Sequence, residues 1–330
     1  MRRREFITFL GGAAAAWPLA ARSQQPAGRT ARIGVVRAPL DDPITGPGYP
    51  AFLDELKKSG FIENQNLEIE AVDVQQDAQR LFAETANLVR SKGVELLVAT
   101  GPETVLKAAM AASQTIPIVM WAINYDPIAR GYVKSLARPG GNITGVVSLQ
   151  TELAAKQAEL LTEAFPDRTR LAILYDGNSA DQFAAAERQA RSLHLEIRSL
   201  KLENPPYDFD AAFHSLAEGS PQMLLVLSSQ FFSRYRAHIA ELAIQQRLPA
   251  MFIFKGYAEA GGLISYGVDP KAMFRQLGFY VAKILNGTKP ADLPIEQATK
   301  FELVVNLKTA KAIGVEPSTA IQLRADEVIE

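Results

Sequence analysis

Cysteine is absent from the chain, and histidine occurs only as His194, His214 and His238. Without cysteine there is no disulfide, no thiol nucleophile, no thiolate metal site and no residue to carry a lipid after export. The three histidines do not stand at metal-ligand spacings. Nor does the chain contain a G-x-S-x-G elbow, a G-x-x-x-x-G-K-[ST] phosphate loop or a G-x-G-x-x-G fingerprint. Asp41-Asp42 and Asp126 have no acid–base partner at a defensible spacing. Catalysis that needs a metal, a thiol or a histidine is therefore not expected, and neither is a cofactor. A net charge of −1 leaves no electrostatic footprint for nucleic acid. Beyond the N-terminus no apolar run reaches the ~20 residues that cross a bilayer.

What is present begins with MRRREFITFLGGAAAAWPLAARSQQP. Arg2, Arg3 and Arg4 precede an apolar stretch from Thr8 to Ala21 that Gly11, Gly12 and Pro18 interrupt. The stretch is too short to span a membrane, and Ala21-Arg22-Ser23 offers small residues at alternate positions, with cleavage expected near Gln24. The Arg3-Arg4 pair, followed by Phe6-Ile7, resembles a twin-arginine export motif, so residues 1–25 are read as a signal peptide and the mature protein as periplasmic. A frayed basic N-terminus on a cytoplasmic protein is the alternative.

From Arg32 onward, short Val/Ile/Leu runs alternate with segments of helical period. RIGVV, VELLVAT, IPIVMWAI, RLAILY and QMLLVLSS are nearly continuous, as strands buried on both faces must be. LEIEAV, NITGVVSL, LEIRSLKL, PAMFIF, GGLISYG and FELVVNL complete the set. In TELAAKQAELLTEAFP, Leu153, Leu160, Leu161, Ala164 and Phe165 share a stripe that Pro166 ends. In DPKAMFRQLGFYVAKILNG, Asp269 caps, Pro270 takes the first helical position and Asn286-Gly287 closes the helix. The alternation predicts an α/β chain of doubly wound parallel sheets. About 300 residues with so many strands favour two sheets over one, with a break near RPGGNITGVVSLQTE. A closed eight-fold barrel is the alternative.

Ligands of open parallel sheets bind beyond the carboxyl ends of strands. The residues there are Arg37; Thr100, Gly101 and Thr104; Asn124 and Asp126; Tyr175 and Asp176; Ser228 and Ser229; Lys255; and Tyr266. Such hydroxyl, amide, carboxylate and aromatic groups suit a small polar solute. Asp126 or Asp176 would take an ammonium, while Trp121, Tyr175 or Tyr266 would stack on an apolar body. Each has a structural alternative as a cap, a turn or core, and Asn124 and Asp126 in particular suit an Asx-turn before Pro127.

The segments DPIARGYVKSLARPGGNITGVVSL, FFSRYRAHIAELAIQQRLPAMF, EAGGLISYG and KPADLPIEQATKFELVVNLKTAKAIG, with LRADEVIE at the end, resemble the substrate-binding proteins of ABC importers in the tryptophan-binding-protein-like group. The likeness runs from about Ile33 to Glu330 and includes Asp126-Pro127. It implies a type I periplasmic binding fold, in which two lobes joined by a three-crossover hinge close on a ligand. It places the crossovers near Ser148-Leu149, Phe254-Gly256 and Thr299-Phe301, which gives lobe I as 31–148 plus 256–299 and lobe II as 149–255 plus 300–330. It also implies a monomer that captures an amino-acid-like or aromatic solute and hands it to a membrane permease. Gly101-Pro102-Glu103 and Ser228-Ser229 depart from the group's usual residues, so the resemblance names no ligand. An exported hydrolase and a sensing module uncoupled from transport are the competing functions. A repressor of this fold would need a helix-turn-helix ahead of Arg32, for which the residues before it leave no room.

Overall fold

The computed structural model describes residues 29–42, 45–73 and 77–330. The arginines and apolar run read as an export signal lie outside the described residues. The Val/Ile/Leu runs become strands β1 (Ala31–Arg37), β2 (Leu67–Asp73), β3 (Leu96–Gly101), β4 (Ile118–Ala122) and β5 (Ile143–Val147). Helices α1 (Tyr49–Lys58), α2 (Ala78–Lys92) and α3 (Glu103–Ala112) lie between them. Strands β3, β4 and β5 are almost wholly buried, since helices cover both faces.

The second sheet brings β6 (Arg170–Asp176), β7 (Glu196–Leu202), β8 (Met223–Val226), β9 (Ala250–Phe252) and β10 (Ile264–Val268). Between β5 and β10 run α4 (Gln150–Ala164), α5 (Ala180–Ser192), α6 (Phe209–Ala217), α7 (Gln230–Arg234), α8 (Arg236–Gln245) and α9 (Lys255–Glu259). After β10 come α10 (Pro270–Leu285), β11 (Glu296–Gln297), β12 (Phe301–Asn306), α11 (Leu307–Ile313), α12 (Thr319–Arg324) and β13 (Glu327–Ile329).

Strand order is β11-β5-β4-β3-β1-β2 in the first sheet and β13-β12-β10-β9-β8-β6-β7 in the second. The chain leaves the first sheet after Val147, returns to it after Val268, and leaves again between Gln297 and Phe301. The middle exchange corrects the expectation of Phe254–Gly256. Both α9 and β10 stay with the second sheet, because β10 pairs β9. The element that changes lobe is α10. Its apolar stripe buries Met273, Phe274, Leu277, Tyr280 and Val281, and Phe274 packs edge-on against Tyr49 and Trp121. Gly278 permits this approach to α1, since a Cβ there would lie 2.8 Å from the Phe52 carbonyl oxygen.

One ladder departs from the parallel expectation: β12 runs antiparallel to β10, with Tyr266 opposite Leu303. The exchanges explain the direction. Strand β10 runs toward the hinge and leaves there, so the chain re-enters the second sheet from the hinge and runs away from it. A single apolar cluster, from Phe52 and Trp121 through Leu153 and Val268 to Phe232 and Phe252, joins the two lobes.

The second and third exchanges are clasped together. Asp269 caps α10 through the Lys271 N–H at 2.8 Å and pairs with the Lys300 ammonium at 2.8 Å, while its own N–H donates to the Lys300 carbonyl at 3.3 Å. Burial pushes the Asp269 carboxyl up, but Lys300 and the α10 N–H groups outweigh it and hold it below the usual aspartate range. A depressed folded-state pKa contributes stability above the unfolded value, which is lost as pH falls through the folded value. Asp269→Asn should therefore flatten the loss of unfolding free energy below about pH 4. Denaturant melts of both proteins across that range test this, and parallel pH profiles would contradict it.

Candidate functional site

Residues just past the strand ends of one sheet touch residues just past those of the other. Asn124, beyond β4, donates from Nδ2 to the Ser228 carbonyl beyond β8 at 3.4 Å. Asp42, beyond β1, accepts from the Ser233 hydroxyl at 3.3 Å, and Arg130 pairs with Asp181 of α5 at 3.1 Å. These contacts bring the strand ends of the two lobes against one another. Exposed ion pairs contribute about 0–1 kcal/mol and the other two bonds are long, so the contacts align the lobes without locking them.

The lobe II wall is organised by Asp176, which is 0 % exposed. Its Oδ1 accepts from the Asn178 N–H at 2.9 Å and the Ser179 hydroxyl at 3.1 Å. Its Oδ2 accepts from the Tyr207 hydroxyl at 3.0 Å and from the Ser229 hydroxyl. Four donors fill the capacity of a carboxylate. Burial and the Asp176 charge together raise the Tyr207 phenol, which keeps it a donor. Ser229 also caps α7, accepting from the Phe231 N–H at 3.2 Å. Ser228 is fixed by Gln182, whose amide accepts from its N–H at 3.1 Å and donates to its carbonyl at 3.2 Å. Phe231 and Tyr207 stand edge to face beside this cluster, with ring centroids 5.7 Å apart.

The lobe I wall is formed by the ends of β1, β3 and β4. Thr100 is buried, with its hydroxyl 3.4 Å from the Val36 carbonyl. Gly101 follows at φ 134°, a conformation that strains other residues, and turns β3 toward α3. Thr104 is exposed on α3. Arg37 is buried, paired with Asp73 at 2.9 Å and stacked 5.0 Å over the Tyr49 ring. Asp126 is exposed, and its Oδ1 accepts from the Ile128 and Ala129 N–H groups at 2.8 and 3.2 Å, the Asx-turn alternative.

Other expected residues are engaged elsewhere. Lys255 pairs with Glu327 at 2.6 Å and Glu259 at 3.5 Å, both in lobe II. Tyr175 stacks on Phe183 at 4.1 Å and Tyr266 on Phe301 at 6.0 Å. Trp121 takes its core alternative: it is fully buried, donates from Nε1 to the Ser148 hydroxyl at 2.6 Å, and packs under α10.

Six buried side-chain atoms have no hydrogen-bond partner among the described residues: Arg37 Nε, Asn124 Oδ1, Gln150 Nε2 and Oε1, Arg236 Nε and Ser265 Oγ. Sequence reasoning identified Arg37 and Asn124 but missed Gln150, Gln182 and Tyr207. The only signal for Gln150 was its place at the break before the TELAAK helix, and Gln182 and Tyr207 gave none.

A family profile for ABC transporter substrate binding protein matches residues 35–329. The tyrosine-binding protein of Clostridioides difficile is 23% identical over 288 residues, covering 86% of this chain and 81% of that one. A conserved domain protein of Vibrio cholerae superposes with a TM-score of 0.80 at 24% identity, covering 91% of this chain and 100% of that one. A domain from Streptococcus pneumonia in complex with L-Trp gives a TM-score of 0.80 at 22% identity with the same coverages. The fold is that of type I periplasmic binding proteins.

The two aspartates should separate in unfolding experiments on protein without added ligand. Asp176→Asn replaces an acceptor of four bonds by a group that must itself donate, and should lose about 2–3 kcal/mol. Asp126→Ala removes a solvent-facing turn contact and should lose no more than about 1 kcal/mol. Urea midpoints measure both, and equal losses would contradict the keystone role of Asp176.

Proposed function

Because the chain belongs to the family of ABC transporter substrate binding proteins, we propose that it is the periplasmic solute-binding component of an importer. It captures one small amino-acid-like or aromatic solute in the inter-lobe cleft and delivers it to a permease, acting as a monomer. The family and its relatives are solute-binding proteins rather than enzymes, which sets aside the hydrolase. The observation that carries the reading is Asn124: bonded across the cleft to Ser228 through Nδ2, it keeps a buried Oδ1 without a protein partner. A polar atom in that position favours a solute enclosed between lobes. The tyrosine-binding relative and the L-Trp-bound neighbour support an aromatic amino acid. The edge-to-face pair Phe231 and Tyr207 suits an aromatic body better than the buried Trp121 does.

A thermal-shift panel of L-amino acids, aromatic acids, small amides and sugars tests the reading. A ligand at one hundred times its dissociation constant stabilises the native state by about 2.7 kcal/mol. The true solute should raise the melting temperature, compact the protein in X-ray scattering and be recovered unchanged. A chemically converted product would defeat the binding reading.

Export by the twin-arginine route belongs to the same proposal and is supported by Arg3-Arg4 and the weakly apolar run that follows. Changing both arginines to lysine should leave precursor in the cytoplasm, as fractionation and immunoblotting would show. Normal periplasmic accumulation would remove that route from the proposal.

A further inference from the structure

Gln150 is 4 % exposed, yet neither its Nε2 nor its Oε1 meets a partner among the described residues. It is the first residue of α4, a 15-residue helix whose preceding Leu149 makes no side-chain cap. The first-turn N–H groups of α4 therefore lack the capping oxygen that most helices place there. Glu152, the acidic residue in that turn, is exposed.

The placement of Gln150 follows from strand register. Ala122 pairs with Val147, and the Ser148 N–H donates to the Ala122 carbonyl at 3.0 Å. Just beyond these positions, β4 leads to Asn124 and β5 leads through Leu149, at φ 52°, to Gln150. Asn124 and Gln150 thus both follow the carboxyl ends of the paired strands β4 and β5, where lobe I passes into lobe II, and Asn124 is already bonded across to Ser228. Together they offer two unpartnered acceptors, Asn124 Oδ1 and Gln150 Oε1, and one unpartnered donor group, Gln150 Nε2. Gln150 itself opens the uncapped N-terminus of α4.

This set matches a solute that carries a multiple N–H donor and a carboxylate on one carbon. A carboxylate suits Nε2 and the α4 terminus, where N–H groups and the helix dipole favour an anion. An ammonium, with three N–H donors, suits the two amide oxygens. The carboxylates that sequence reading assigned to the ammonium are engaged, Asp176 by four donors and Asp126 by its turn.

We propose that Gln150, with Asn124 and the N-terminus of α4, reads the α-ammonium and α-carboxylate of a free amino acid, and that neutral amide oxygens rather than an aspartate receive the ammonium. The assignment rests on the solute-binding reading above and deepens it, since it fixes the end of the solute that every substrate must share. The side chain of the solute is then left to the Phe231 and Tyr207 side of the cleft.

The experiment measures binding of each of the twenty L-amino acids to the wild-type protein. The binder is then compared with its α-hydroxy acid, which keeps the carboxylate and replaces the ammonium by a hydroxyl. Wild type should prefer the amino acid by about tenfold or more, the size of a hydrogen bond to a charged group. Gln150→Met, which leaves only the Asn124 acceptor, should reduce that preference, and Gln150→Glu, which puts a carboxylate at the same place, should increase it. The preference is a ratio within one protein, so it does not depend on variant stability, and Gln150→Glu alone is decisive if Gln150→Met fails to fold. An amino acid whose preference over its hydroxy acid is the same in wild type and the variants would overturn the assignment while leaving the function intact. Binding of no amino acid would overturn the amino-acid reading and the assignment together.

Discussion

Four donors converge on the Asp176 carboxylate, and the wall of lobe II that faces lobe I depends on that convergence. Asn178 and Ser179 belong to the turn after β6, Tyr207 to the segment before α6, and Ser229 to the turn after β8. Three separate stretches of chain are thereby tied to one buried charge. The desolvation of that charge is tolerable only because every lone pair is occupied. Ser229 then fixes the start of α7, and its neighbour Ser228 is fixed by Gln182, so the carbonyl that meets Asn124 has a defined position. A carboxylate engaged in this way shapes the lobe II wall without offering it a free acceptor.

The hinge follows a different logic. Its three strands of chain are short, and the apolar cluster through Trp121, Leu153 and Val268 gives both lobes a shared base. The Asp269–Lys300 pair joins two of the exchanges. At the rim, Arg130–Asp181 is exposed on both sides and the Ser233–Asp42 bond is long. A shared apolar base with weak contacts at the rim suits the proposed closure on a solute, because a solute can shift such an equilibrium only by its differential affinity for the two states.

The fold was legible in the sequence because its strands are buried on both faces and so appear as unbroken Val/Ile/Leu runs, β3, β4 and β8 most clearly. The caps of α10 were legible for a local reason: Asp269 and Pro270 act on the backbone next to them. Strands β11 and β13 were not legible, because two and three mostly exposed residues become strands only by pairing with β5 and β12. The middle exchange was misplaced because nothing local marks it. What moves α10 to lobe I is the fit of Phe274 and Gly278 against α1, a contact between residues more than two hundred positions apart. The site was legible as a set of strand ends but not as roles. Asp126 and Asp176 both follow a strand and precede a turn, yet one is exposed and the other is the most heavily bonded carboxylate of its lobe wall.

The contrast between satisfied and unsatisfied groups gives the cleft its thermodynamic character. Each buried polar atom left without a partner costs about 1–3 kcal/mol. The lobes touch through Asn124 and Ser228 while Asn124 Oδ1 and both amide atoms of Gln150 remain unpartnered within the protein. On the proposed reading, holding these atoms buried between the lobes costs more than the rim contacts return unless something supplies the missing bonds. Water can supply some of them, but holding it there carries an ordering cost of up to about 2 kcal/mol per molecule. A solute whose donors and acceptors match the set removes the penalty in one step. On the proposed reading, the same atoms would couple recognition of the solute to the meeting of the lobes.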